Sequence, residues 1–484
     1  MSLRSLPQRG RRGVGGEVPG AALSCLGLTA LGVGLMQAFG NLTDAALLLV
    51  AAALVLALLA LKAGLRTPSR AWWVVTTVIL GLTNLLYPHL GGPFAYHVDA
   101  QVALTLGLTA TAGTACVLRP GRAALAALGA AALSLVWLMA ITWNWGSDPL
   151  DVFNSVTGAT GALLHGANPY SPIFSFRVPQ YPWYIPEHFV YGPIVPVLAA
   201  LGWLVGDVRV MSVVALAVTF AGLWLLARQG SHRIDAHRVV ALAIASPFNV
   251  GMVNRSWVEI YIVAGVVMWL ALRATRRPIA IVCLWVAMLV DPVTALVLLP
   301  AFIWSKRARL EMVAAAIGAA LFVLPFALAT GVGHFLHDIV GFQLAMPPWH
   351  DSLTVTAFVW QTWHVALPSV LSVVVVLLAI PLLAWRGRPA HLGDVAVQAA
   401  VIFLSAFLVA KFAFFDEYYV VAALLVTGLA GVGVAFPAGD VALPDVYELR
   451  RLLPGWGTPK PLGSPVDTPV GAAADAAAGA GALR

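Results

Sequence analysis

Apolar residues along this chain come in runs of about twenty, each closed by a short polar interruption, and that length matches the ~30 Å hydrocarbon core of a bilayer. The runs fall near 21–39, 45–62, 71–88, 100–118 and 123–143, then near 189–206, 210–228, 239–253, 256–273, 278–304 and 309–330, and finally near 365–385, 395–413 and 419–436. They predict an all-α, polytopic transmembrane helical bundle of about fourteen spans. Two longer polar stretches, 144–188 and 331–364, interrupt the rhythm. Within the first, Val152, Val156, Ala159, Leu163 and Leu164 recur at helical spacing between Asp151 and His165. That stripe predicts a short helix lying along the membrane interface and closed by Gly166.

Composition narrows the class. Of 484 residues, 60% are hydrophobic and 10% charged, against roughly 25% charged in a soluble domain. A soluble enzyme and a nucleic-acid-binding module are excluded. The net charge of +7 is carried by small basic groups at the ends of apolar runs, which read as topology signals. Lys62, Arg66 and Arg70, then Arg119 and Arg122, alternate with loops that lack Lys and Arg. The positive-inside rule then makes 1–20 a basic cytoplasmic N-terminus, 144–188 and 331–364 extracytoplasmic loops, and the Pro/Gly/Ala-rich 437–484 a disordered cytoplasmic tail. Counting every run as a crossing leaves Arg228, Arg233 and Arg238, and Arg273, Arg276 and Arg277, on the outer side against the rule. One of the short runs around Val239 to Ile260 is the candidate for a re-entrant segment. Cys25, Cys116 and Cys283 sit inside apolar runs without CxxC spacing, so neither zinc nor a disulfide framework is indicated.

Candidate chemistry gathers in the outer loops. Asp148 and Asp151 follow the fifth run, where a carboxylate avoids the roughly 2.5–3.5 kcal/mol cost of a charge at a helix centre and can take a proton from a sugar hydroxyl. Capping the following helix is the plainer use of Asp151. Arg177 is the only permanent cation of that loop, and Glu187 and His188 stand at its exit. In the second loop His350 and Asp351, after Pro347, Pro348 and Trp349, form the element best suited to orient sugar or phosphate. No tight ligand spacing marks a metal site. Lys411 and Asp416 lie at the outer end of the penultimate run, where a lysine either meets a lipid phosphate or snorkels to the interface. Arg255 and Glu259, spaced i and i+4, are expected to pair on one helix face. Asp291, inside an apolar run, reads as a packed, hydrogen-bonded helix residue.

The order DVF, a helix-length segment, GANPY, a Pro/Tyr-rich stretch and YGPIVP resembles the first extracytoplasmic loop of GT-C glycosyltransferases, in particular the actinobacterial mannosyltransferases that use polyprenyl-phosphate-mannose. Weaker likeness runs through GMVNRSWVEIYIV, VDPVTALVLLP and FFDEYYVVAALL, so the resemblance spans roughly residues 140–436. It divides the chain into additional N-terminal helices, 21–122, and a GT-C-like catalytic module, 123–436. It implies Asp151 as general base, with Asn168 and Tyr170 of GANPY and Tyr191 of YGP in the site; Asp148 beside it is the candidate to help position the acceptor. The implied donor is a polyprenyl-phosphate sugar, mannose first, and the acceptor a glycolipid or cell-wall glycan outside the plasma membrane. Membrane lipids are the only other partners expected, and no cofactor beyond the lipid-linked donor. Two departures stand out: four extra spans, from Ala21 to Leu118, precede the helix that leads into the acidic loop, and Asp291-Pro292 replaces the Lys-Pro of many members. A transporter or lipid flippase, and a catalytically silent scaffold, are the rival readings.

Overall fold

Runs this apolar fold as helices because a helix satisfies its own backbone polar groups wherever water is scarce. The computed structural model describes residues 20–38, 42–85, 98–144, 151–174, 188–230, 236–275, 277–386 and 389–435. The expectations for the basic N-terminus and for the tail 437–484 lie outside these residues. Among the described residues the fold is all-α, without a β-strand.

The chain opens with α1 (Gly20–Ala38), α2 (Asp44–Ala63), α3 (Arg70–Thr83), α4 (Val98–Val117) and α5 (Pro120–Asn144). Two short helices follow, α6 (Asp151–Leu164) and α7 (Ile194–Trp203), then α8 (Val210–Ala227), α9 (Ala236–Ile244), α10 (Phe248–Asn254) and α11 (Glu259–Ala274). Next come α12 (Ala280–Val290), α13 (Thr294–Trp304) and α14 (Lys306–Thr330). The second long loop holds α15 (Val332–Leu336), a π-helical turn (His337–Gly341), α16 (Phe342–Ala345) and α17 (Val355–Trp363). The chain continues with α18 (Val370–Arg386), α19 (Leu392–Leu408) and α20 (Phe415–Ala430).

Four helices, α1, α2, α8 and α14, are long and apolar enough to cross a membrane; the bent pair α9 and α10, at 58° to each other, makes a fifth if it is one span. Apolar faces on α14 (Leu310, Ile317, Leu321, Leu328) and α18 (Val370, Val373, Leu377, Leu378) are exposed. Faces of this extent suit hydrocarbon and not water.

Hydrogen bonds fix which helix ends meet. At one end, here the lower, the Arg70 guanidinium donates to the Val117 carbonyl, Gln229 Nε2 to Ala271 O (2.9 Å), and Leu392 N to Val434 O (3.0 Å). The Arg273 guanidinium joins the end of α11 to Ser305, which caps α14. At the upper end Leu42 N donates to Asp351 O (2.7 Å), Trp349 N to Lys411 O (2.9 Å) and Asn168 Nδ2 to Thr330 Oγ1 (2.7 Å).

Three sequence expectations change. The run 189–206 yields α7, only 10 residues or about 15 Å at 1.5 Å per residue, too short for a span. The chain is at the upper end on both sides of it: Gly192 N bonds Val290 O (2.9 Å), and the Arg209 guanidinium sits 4.9 Å over the ring of Phe153 in α6. With that crossing removed, Arg228, Arg238, Arg273 and Arg277 fall at the lower end beside Lys62 and Arg70. The run 278–304 breaks at Asp291-Pro292, because Asp291 Oδ1 accepts from Val293 N (2.7 Å) and ends α12. Arg255 and Glu259 do not share a helix: Arg255 closes α10, Ser256 turns the chain with φ of 55°, and Glu259 starts α11.

Candidate active site at the upper end

The first long loop builds the site's floor. α6 begins at Asp151 and ends at Leu164, with Gly166 at φ of 74° beyond it, close to the predicted limits. Val152, Val156 and Ala159 are buried as the stripe requires, whereas Leu164 is exposed. Only the backbone of Asp151 is described, and Asp148, Arg177 and Glu187 lie outside the described residues.

The GANPY element fastens the loop. Asn168 Oδ1 accepts from Tyr170 N (3.1 Å) while its amide holds Thr330 at the end of α14. Tyr170 is fully buried, donates its hydroxyl to Tyr191 O (2.7 Å) and meets Phe189, Phe326 and Phe335 edge-on. Both polar groups are therefore engaged in holding the loop to α14 and to the YGP segment. Tyr191 packs on Phe189, and Gly192 lies so close to α12 that a Cβ there would overlap the Leu289 carbonyl. This contact brings the Asp291 turn to the edge of the first loop. His188 is half-buried, with Nδ1 unpartnered among the described residues.

The second loop meets the first where Phe335 packs on Tyr170 (4.9 Å). His350 stacks on Trp360 (4.5 Å, 18°). Asp351 is half-buried and its Oδ1 has no partner among the described residues; burial pushes its carboxyl above the usual aspartate range. Lys411 Nζ donates to the carbonyls of Leu344 (2.7 Å) and Met346 (2.8 Å), which leaves one of its three N–H groups for another acceptor. Desolvation lowers its pKa.

At the same end stands a group that sequence reasoning did not assemble. Glu259 at the start of α11 is within electrostatic reach of Asp291 and Asp416, and Glu417 within reach of Asp416 and Glu259. Glu259, Asp416 and Glu417 stand in the first turns of α11 and α20, where exposed N–H groups and the helix dipole favour negative charge. Two of the group have plain structural duties: Glu417 caps α20 through Phe414 N (2.8 Å), and Asp291 forms the turn that ends α12. Glu259 leaves its Oε2 buried and unpartnered among the described residues. The signal was a glutamate inside an apolar run, a feature that by itself marks an intramembrane functional candidate. Its spacing to Arg255 hid it.

Arg209 and Asp207 were also missed. The Arg209 side chain is 2% exposed and grips Asp207 through Nε and Nη2 (2.6–3.1 Å) while covering Phe153, two residues from Asp151. No cluster of three or more His, Cys, Asp or Glu suited to a metal ion occurs among the described residues. Comparison with models of known families, with curated proteins and with solved structures finds no match.

Proposed function

We propose that this chain is a membrane glycosyltransferase of GT-C type. It moves a sugar, mannose first, from a polyprenyl-phosphate carrier to a glycolipid or glycan acceptor outside the plasma membrane. The observation that carries the reading is where the polar groups converge. The start of α6, both long loops and the Glu259 group all lie at helix ends on one side of the bundle, as a lipid-phosphate headgroup at an interface requires. A transporter places its site near the midplane, between opposed halves.

Sidedness follows from charge. The lower end carries Lys62, Arg66, Arg70, Arg119, Arg122, Arg228, Arg238, Arg273, Arg277, Lys306, Arg307 and Arg309, so the positive-inside rule makes it cytoplasmic and the upper end extracytoplasmic. In this topology α12 and α13 form a short hairpin entering from the cytoplasmic side, and the basic loops that simple parity misplaced obey the rule.

In the proposed reaction Asp151 takes the acceptor hydroxyl proton as the acceptor oxygen bonds to the anomeric carbon. The bond from that carbon to the phosphate oxygen breaks on the opposite face, and configuration inverts. The free N–H of Lys411 meets the lipid phosphate that leaves. The donor is itself the activated substrate, so no separate cofactor enters the scheme. Radiolabelled polyprenyl-phosphate-mannose, supplied with a native lipid extract to membranes containing the protein, should give a labelled product. Asp151→Asn should lower its formation by about 10²–10⁴-fold, the usual worth of a general base. Full turnover by a folded Asp151→Asn protein would overturn the assignment.

One observation favours the transporter reading: the bend between α9 and α10 and the carboxylate-bearing break between α12 and α13 are the kind of discontinuity that transporters use. Substrate flux across proteoliposomes without any labelled product would select it.

A further inference from the structure

The turn between α10 and α11 holds three buried polar side chains with unmet hydrogen-bonding capacity among the described residues. Asn254, 1% exposed, leaves both Oδ1 and Nδ2 unpartnered; Ser256, 4% exposed, leaves Oγ; Glu259, 7% exposed, leaves Oε2. Buried groups of this kind are nearly always paired, because each unmade bond costs stability unless something supplies a partner. Here they sit within six residues, on a turn forced into the left-handed region at Ser256. A non-glycine residue there is itself a strain that the surroundings must hold in place.

The chemistry of the three groups selects a ligand class. A carboxylate only accepts, an amide both gives and takes, and a hydroxyl does either. Neighbouring hydroxyls on a sugar ring each donate and accept, and so complement this set. A phosphate would find a cation in Arg255 of the same turn, whose guanidinium lies 5.2 Å over the Trp257 ring, but it mainly accepts and is negative, and so would oppose the acceptor Glu259 and the nearby Asp291 and Asp416. Trp257, stacked on Phe415 (5.3 Å, 30°) and lying under the Arg255 guanidinium (5.2 Å), closes the apolar side of the turn.

We propose that the α10–α11 turn, through Asn254, Ser256 and Glu259, is the site that recognises the hydroxyls of the donor's sugar, an inference that rests on the glycosyltransferase reading. Lys411 and the second loop then serve the phosphate, and the carboxylates hold the sugar apart from it.

The test is equilibrium binding to the full-length protein in lipid nanodiscs, using radiolabelled polyprenyl-phosphate-mannose and polyprenyl phosphate without sugar. The intact protein should prefer the sugar-bearing lipid by about tenfold or more, the worth of one or two well-placed hydrogen bonds. Glu259→Gln should remove most of that preference by weakening the sugar-bearing lipid, while the bare lipid, freed of one opposing charge, binds at least as well as to the intact protein. Ser256→Gly, which suits the positive φ and removes the hydroxymethyl side chain, serves as the second variant should Glu259→Gln fail to fold. Equal binding of the two lipids by the intact protein, as expected if the turn holds only ordered water, overturns the proposal; so does a preference that survives both variants. Sugar transfer measured on the same preparations separates this inference from the one beneath it. A preference lost in the variants without any transfer keeps the site and removes the enzyme, whereas Asp151-dependent transfer indifferent to the variants does the reverse.

Discussion

Each end of the bundle buries a glutamate, and the two are held in opposite ways. At the lower end Glu311 Oε2 accepts from Trp269 Nε1 (2.9 Å) and Arg273 Nε (3.1 Å), its Oε1 accepts from Arg307 Nε (2.7 Å), and Arg273 also reaches Ser305. One carboxylate is fully enclosed by donors. At the upper end Glu259 is as deeply buried, stands near other carboxylates and leaves an oxygen unpartnered among the described residues. A satisfied network fixes a unique packing, and an unsatisfied one waits for something to complete it. The difference separates a glutamate with a structural duty from one that the proposed reading puts to chemical use.

The strongest way to break that contrast is activity against stability. Asp151→Asn should abolish most transfer while thermal unfolding in nanodiscs shifts little. Glu311→Ala should do the opposite at the lower end, destabilising the fold by about 3–5 kcal/mol because it strands the buried Arg273 charge. A Glu311→Ala protein that unfolds like the parent would show that the network is dispensable. Tyr170→Phe probes a fastening inside the candidate site. It removes the hydroxyl bond to Tyr191 O but keeps the aromatic contacts, so a loss of about 1 kcal/mol is expected, read as a lower unfolding midpoint. The smallest effect is at Asp351. Its carboxyl is held above the ordinary value of 3.8, so the folded state binds protons more tightly there, and stability falls as pH rises from the unfolded pKa through the folded one. Asp351→Asn should therefore unfold slightly later than the parent at neutral pH, and the advantage should vanish in acid below the ordinary value.

Sequence carried the helical class and the limits of α6, because periodicity and a closing glycine are local signals. It misjudged crossings where proline and glycine cut an apolar run short. Pro193, Pro196, Gly202 and Gly206 confine α7 to one end of the bundle, and Pro292 with Asp291 turns the chain where hydropathy alone reads straight through. Of the candidate residues, Asp351 and Lys411 come to the same upper end as α6, which topology made legible. Asn168 and Tyr170 are in place but spend their polar groups on the loop itself, a duty visible only once Thr330 and Tyr191 are beside them. Glu259 was hidden because pairing at i and i+4 presumes a continuous helix, and Ser256 breaks it.

The packing of α1 against α20 and of α2 against α19, with Leu42 bonded to Asp351, also sets a schedule for biogenesis. The earliest described hairpin closes on the latest. About 350 residues separate the end of α2 from the end of α19, so at 5–20 residues per second the ribosome needs roughly 17–70 s to deliver the partner. Throughout that interval the hairpin must remain in the bilayer with its final contact face open to lipid or to an insertion chaperone. A chain released early would carry an unclosed seam, and quality control has that seam to read.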